Sequence, residues 1–184
     1  MRLIESELPG VVMFEPRIFT DDRGYFIETW HQRRYAEEGG LSEHFVQDNL
    51  SFSRRGVLRG LHYQHPRAQG KLVQALQGEI FDIAVDIRRG SPTFGRWVGM
   101  RLCSENGRQA YIPPGFAHGF QVLSETAMVL YKCTEFYCPA DDASLAWDDP
   151  DLSINWPLAD PILSPKDASA PRLETIPRDR LPAF

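Results

Sequence analysis

The sequence predicts a mainly β protein, a sandwich or barrel of short strands with few helices. Three observations carry this. Residues 81–87, FDIAVDI, alternate strictly: Phe81, Ile83, Val85 and Ile87 point one way and Asp82, Ala84 and Asp86 the other, the period of a strand. Many other segments are short and rich in β-branched and aromatic residues. Turn signals separate them: Asp22-Arg23-Gly24, Gln77-Gly78, Arg89-Gly90-Ser91-Pro92, Asn106-Gly107 and Pro113-Pro114-Gly115.

Taken in order, strands are expected at 11–14, 25–30, 45–53, 57–64, 71–77, 81–87, 96–103, 108–113, 118–123 and 127–135. Residues 31–38, HQRRYAEE, are the one helical segment, and Gly39-Gly40 stops it. From Trp156 onward prolines recur at 157, 161, 165, 171, 177 and 182, which excludes regular central strands. The expectation is a single domain, with a barrel core at about 45–135 and a tail at about 140–184 that wraps it as loops and a short helix.

Composition narrows the function. The 184 residues are 42% hydrophobic and 24% charged, ordinary for a globular protein, with a net charge of -5. That balance argues against a nucleic-acid partner. No apolar run reaches the roughly 18 residues of a membrane span, and the N-terminal residues show no signal sequence. Cys103, Cys133 and Cys138 form no CxxC pair, so reduced thiols in the cytoplasm are expected and a structural zinc site is not.

The richest stretch is 56–71, GVLRGLHYQHPRAQGK. Arg59 offers a forked cation for phosphate or carboxylate, His62 a proton acceptor near neutral pH, and Lys71 a charge for a developing oxyanion. Together they suit removal of a proton beside a carbonyl. In a regular strand Arg59 and His62 have opposite parity, so both enter one cavity only if the strand bulges, and Gly60 is the place for that.

Residues 107–118, GRQAYIPPGFAH, match the G-x5-P-x-G-x2-H motif of the cupin superfamily, which implies a jelly-roll β-barrel. The motif histidine, His118, binds metal in many cupins. The companion H-x-H is replaced here by His62-x-x-His65, whose members fall on opposite faces of a strand. No metal and no cofactor is therefore expected. A metal-dependent cupin enzyme using His62, His65 and His118 is the distant rival.

A closer resemblance runs through FTDDRGYFIET, FVQDNLS, GVLRGLHYQ, GKLVQALQGEIFDIAVDIRRGSPTFGRWVG, IPPGFAHGFQVLS, LYKCTEFY and ILSPKD. Seven blocks in order resemble the dTDP-4-dehydrorhamnose 3,5-epimerase family. That resemblance implies inversion of C3 and C5 of dTDP-4-dehydro-6-deoxyglucose, on the route to dTDP-L-rhamnose. A C4 ketone acidifies the protons on both carbons, and the chemistry needs a base on one ring face and an acid on the other.

By the same resemblance His62 is the base, Asp167 the carboxylate that orients it and Tyr131 the acid. Lys71 lies near the C4 oxygen. Phe19, Arg23, Glu28, Gln47, Asn49, Arg59, His118, Asp142 and Lys166 are substrate contacts, with Arg23 and Arg59 suited to the diphosphate. Asp142 stands where glutamate is commoner in the family. Tyr137 is a candidate for stacking on thymine, and Asp82 or Asp86 for pairing with Lys71. The resemblance also implies a homodimer exchanging strands near the N-terminus, with Phe19, Arg23 and Glu28 completing the partner's site. Two further rivals are a C3-only epimerase of another dTDP-deoxysugar pathway and a non-catalytic nucleotide-sugar binding module.

Overall fold

The computed structural model describes residues 1–184. In chain order the elements are β1 (Arg2–Glu5), β2 (Val12–Glu15), β3 (Ile18–Asp21), β4 (Gly24–Ile27), α1 (Gln32–Gly39), β5 (Gln47–Arg54), β6 (Leu58–Gln64), β7 (Lys71–Gln77), β8 (Glu79–Asp86), β9 (Trp97–Cys103), β10 (Gln109–Ile112), β11 (Phe116–Val122), β12 (Thr126–Cys133), β13 (Asp142–Ser144) and α2 (Pro165–Ala168). Two single turns of 3-10 helix follow.

Two antiparallel sheets face each other as a jelly roll. One has the order β1-β2-β10-β7-β12-β5 and the other β13-β6-β11-β8-β9, while β3 and β4 form a separate hairpin. Alternation explains which side chains go inside. Val73, Ala75, Ala127 and Val129 meet Ile80, Ala84 and Phe120 between the sheets. The expected barrel bounds were too narrow. The sheets also take β1 and β2 from before residue 45 and β13 from beyond 135. β1, β3 and β13 escape a sequence reading because three or four residues, mostly exposed or half-buried, show no usable alternation.

Both outer faces are covered. Helix α1 packs Tyr35 with Phe14, Leu41, Leu72 and Tyr111 against the six-stranded sheet. His31 caps it, its Nδ1 accepting from Arg34 N, and Gly40 ends it at φ 66. The tail covers the five-stranded sheet: Leu173, Ile176 and Leu181 pack on Leu61, Ile83, Val85 and Ile87. The apolar side of FDIAVDI therefore lies under the tail, and its acidic side faces inward. Asp82 and Asp86 are both fully buried.

The bulge expected at Gly60 is present. His118 of β11 stands opposite His62 and Phe120 opposite Arg59, so three residues of β6 span two of β11. Gly60 has φ +126, and a Cβ there would come 2.6 Å from Gly119 Cα. We expect Gly60→Ala to destabilise the fold by more than about 2 kcal/mol, measured by urea unfolding. A variant as stable as its parent would show that the close strand contact is not required.

Candidate active site

A cavity of about 190 Å3 opens at one end of the barrel, lined by Gln47, Asn49, His62, Tyr63, Gln64, Gln69, Lys71, Tyr131, Tyr137 and Asp142. Wider clefts exist, such as one of about 590 Å3 between Phe94 and the tail, but that one holds no histidine, lysine or tyrosine. Strand parity builds the smaller cavity. Lys71 opens β7 on the inward side, and its neighbour across the ladder is Cys133 of β12. Tyr131 follows two residues back on the same face, opposite Asn49 of β5. The bulge turns Arg59 inward as well, where its Nε donates to Ser53 Oγ of β5 at 3.0 Å.

The tail supplies the carboxylate. Helix α2 is one turn, capped by Ser164, whose Oγ accepts from Asp167 N at 3.1 Å. It aims Asp167, only 3% exposed, at His62, with Nε2 and Oδ1 2.5 Å apart. Burial pushes the Asp167 carboxyl up, but the bonds from His62, Ser164 and the Gly60 N–H outweigh it and hold the group below its ordinary range. Asp167 is therefore ionised at neutral pH, and its bond to Nε2 leaves Nδ1 as the nitrogen free to take a proton.

Burial pushes the Lys71 ammonium down, opposed by Cys133, Asp82 and Asp142. No carboxylate pairs with Lys71 directly, which corrects the expected contact with Asp82 or Asp86. Asp82 bonds His118 Nε2 at 2.8 Å. Asp86 is held by Arg88, Ser91 and Thr93. Burial also raises the Tyr131 phenol, with the Arg59 charge opposing it, so the hydroxyl keeps its proton at neutral pH.

Of the expected site residues, His62, Asp167, Tyr131, Lys71, Gln47, Asn49 and Asp142 meet at this cavity or directly behind it. Lys166 reaches the rim, paired with Asp142, which also accepts from the Tyr137 hydroxyl at 3.2 Å. The shorter Asp142 thus already has two protein partners. His118 is buried beside His62 in the ladder. Phe19, Arg23 and Glu28 are not in this cavity. Phe19 and Arg23 sit on the β3–β4 hairpin, Arg23 pairs with Asp21, and Glu28 pairs with Arg34 of α1. No three His, Cys, Asp or Glu side chains converge as a metal cage. Sequence reading missed Ser53, Gln64 and Gln69. Gln64 had a signal, since it shares the face of His62 two residues on, whereas loop residue Gln69 had none.

A protonated tyrosine, a histidine held by a buried carboxylate, and a lysine without a carboxylate partner in one cavity are groups that a jelly-roll enzyme of proton transfer can use. Comparison with known proteins gives the family. A family model described as dTDP-4-dehydrorhamnose 3,5-epimerase matches residues 5–175. The enzyme of that description from Pseudomonas aeruginosa is 59% identical over 91% of this chain and 93% of its own length. The one from Methanothermobacter thermautotrophicus is 53% identical over 90% and 91%. The crystal structure of dTDP-6-deoxy-D-glucose-3,5-epimerase from Legionella pneumophila, in complex with dTDP-4-keto-L-rhamnose, matches with a TM-score of 0.97 at 52% identity, covering 100% of this chain and 98% of that one. A 3'-monoepimerase from Streptomyces bikiniensis, in complex with dTDP-quinovose, gives 0.91 at 36%, covering 97% and 91%. The chain belongs to the dTDP-4-dehydrorhamnose 3,5-epimerase family.

Proposed function

We propose that this protein is a dTDP-4-dehydrorhamnose 3,5-epimerase, an isomerase that inverts C3 and C5 of dTDP-4-dehydro-6-deoxyglucose. The observation that carries the reading is the His62–Asp167 pair opening onto the same cavity as Lys71 and Tyr131. His62 Nδ1 takes the proton from C3. The C–H electrons move into the ring and onto the C4 oxygen, where the Lys71 ammonium stabilises the enolate. Asp167 balances the charge that His62 acquires. Tyr131 then gives its proton to the opposite face of C3, and both groups re-equilibrate with water. The ring turns and C5 follows the same course. Proton and electron inventories close without an oxidant.

Arg59 and Arg23 suit the diphosphate, and Tyr137 the thymine face. Gln47, Asn49, His118, Asp142 and Lys166 surround the remaining sugar and base groups. The β3–β4 hairpin leaves Phe19, Tyr25 and Phe26 half or more exposed, away from the cavity of its own chain. In a homodimer this hairpin delivers Phe19 and Arg23, with Glu28 beside it, to the partner's cavity. No helix is long and apolar enough to cross a membrane, and the three cysteines are unpaired, in keeping with a cytoplasmic enzyme.

Turnover of dTDP-4-dehydro-6-deoxyglucose in D2O, followed by NMR and mass spectrometry, tests the reaction. Deuterium is expected at both C3 and C5 with the wild-type protein, and at neither with His62→Ala. Label at C3 alone would identify a C3-only epimerase, and wild-type labelling by His62→Ala would remove the assigned base. Mixing and refolding Arg23→Ala with His62→Ala tests the shared site. If the hairpin serves its partner, each mixed dimer carries one intact cavity, and the mixture, about half of it mixed dimers, recovers about a quarter of wild-type activity. No recovery would place Arg23 outside the partner's cavity.

A further inference from the structure

Residues 134–141, between β12 and β13, form the outer rim of the cavity, and three glutamines hold their backbone. Gln69 Nε2 donates to Glu135 O at 2.8 Å, and Gln47 Oε1 accepts from Tyr137 N at 2.8 Å. Gln64 makes the fullest set. Its Nε2 donates to Phe136 O at 3.2 Å and to Arg67 O at 2.9 Å, and its Oε1 accepts from Cys138 N at 2.8 Å. Phe136 O and Cys138 N belong to the two peptide groups that flank the Tyr137 Cα. One side chain therefore grips the backbone on both sides of Tyr137.

Gln64 is 5% exposed and lies two residues from His62 on the same strand face. Two carbonyls and one N–H use both amide hydrogens and the amide oxygen together. Glutamate would set oxygen against two carbonyls, and leucine would leave all three backbone groups without this partner. Tyr137, still half-exposed, is thereby set at the cavity, with its hydroxyl on Asp142.

We infer that Gln64 is a positioning residue for nucleotide binding: it fixes both peptides around Tyr137 so that the phenol ring stands ready to face the planar base of dTDP. A rim ordered beforehand loses less entropy when the ligand arrives. The nucleotide half of this inference rests on the epimerase reading; the hold on the rim does not.

Two measurements test it, on wild type, Gln64→Leu, Tyr137→Ala and the double variant. In calorimetric titration with dTDP, Gln64→Leu is expected to bind about tenfold more weakly, and the double variant no more weakly than Tyr137→Ala, because Gln64 acts through Tyr137. In turnover the loss appears in KM more than in kcat. In hydrogen exchange without nucleotide, the amides of Tyr137 and Cys138 are expected to exchange about tenfold faster in Gln64→Leu. Binding within about twofold of wild type, losses that multiply in the double variant, or unchanged exchange at those amides would overturn the inference. If the leucine variant does not fold, Gln64→Glu carries the same measurements. A wild-type protein that does not bind dTDP removes the epimerase reading and the nucleotide role, while exchange alone still decides whether Gln64 holds the rim.

Discussion

Two glycines touch across β6 and β11, and the cavity depends on that contact. A Cβ on Gly60 would lie 2.6 Å from Gly119 Cα, and one on Gly119 would lie 2.7 Å from Arg59 O. With no side chain on either residue, β6 gains one residue over β11 and resets its parity. Arg59 and His62 then both turn inward, while Leu61 and Tyr63 turn out beneath the tail. In a regular β6 only one of Arg59 and His62 could lie on the inner face of the sheet; here Arg59 does so at its exposed edge, beyond the cavity lining. Leu61 and Tyr63 also give the tail an apolar surface, and the tail brings Asp167 back to His62.

The electrostatic arrangement is one of separated partners. Each buried carboxylate has a partner: Asp167 has His62, Asp82 has His118, Asp86 has Arg88, Asp141 has Arg67, and Asp149 accepts from Leu173 N. Lys71 has no carboxylate bonded to it, so although burial disfavours its charge, its Nζ is free to donate to an anion forming in the cavity. Burial keeps Tyr131 protonated, and the ionised Asp167 holds the His62 ring through Nε2. The two side chains thus enter from different sheets, His62 from the five-stranded one and Tyr131 from the six-stranded one, as the proposed base and acid would. This opposition is what inversion at a ring carbon requires.

Much of this was legible in the sequence. Period-2 alternation located the long strands, Gly39-Gly40 stopped the one clear helix, and the parity conflict between Arg59 and His62 located the bulge. The family motifs pointed to His62, Asp167, Tyr131 and Lys71. Other features depend on distant packing. FDIAVDI shows an apolar and an acidic face, but only the fold reveals that the tail covers the first and that Asp82 on the second pairs with His118 rather than Lys71. Two hydrogen bonds of Gln64, to Phe136 O and from Cys138 N, join β6 to a rim some seventy residues on, and no local pattern marks them. Phe19, Arg23 and Glu28 could be named from motifs, yet their place beyond the cavity of their own chain is a matter of tertiary structure.

The most direct test of the two-faced proton transfer is a crystal structure of this protein with dTDP-L-rhamnose, whose C4 hydroxyl replaces the reactive ketone. The ring is expected between His62 and Tyr131, with His62 Nδ1 and the Tyr131 hydroxyl toward opposite faces of C3 and the Lys71 ammonium within hydrogen-bond distance of the C4 oxygen. A sugar bound outside the cavity, or with His62 and Tyr131 on the same face of the ring, would contradict the mechanism.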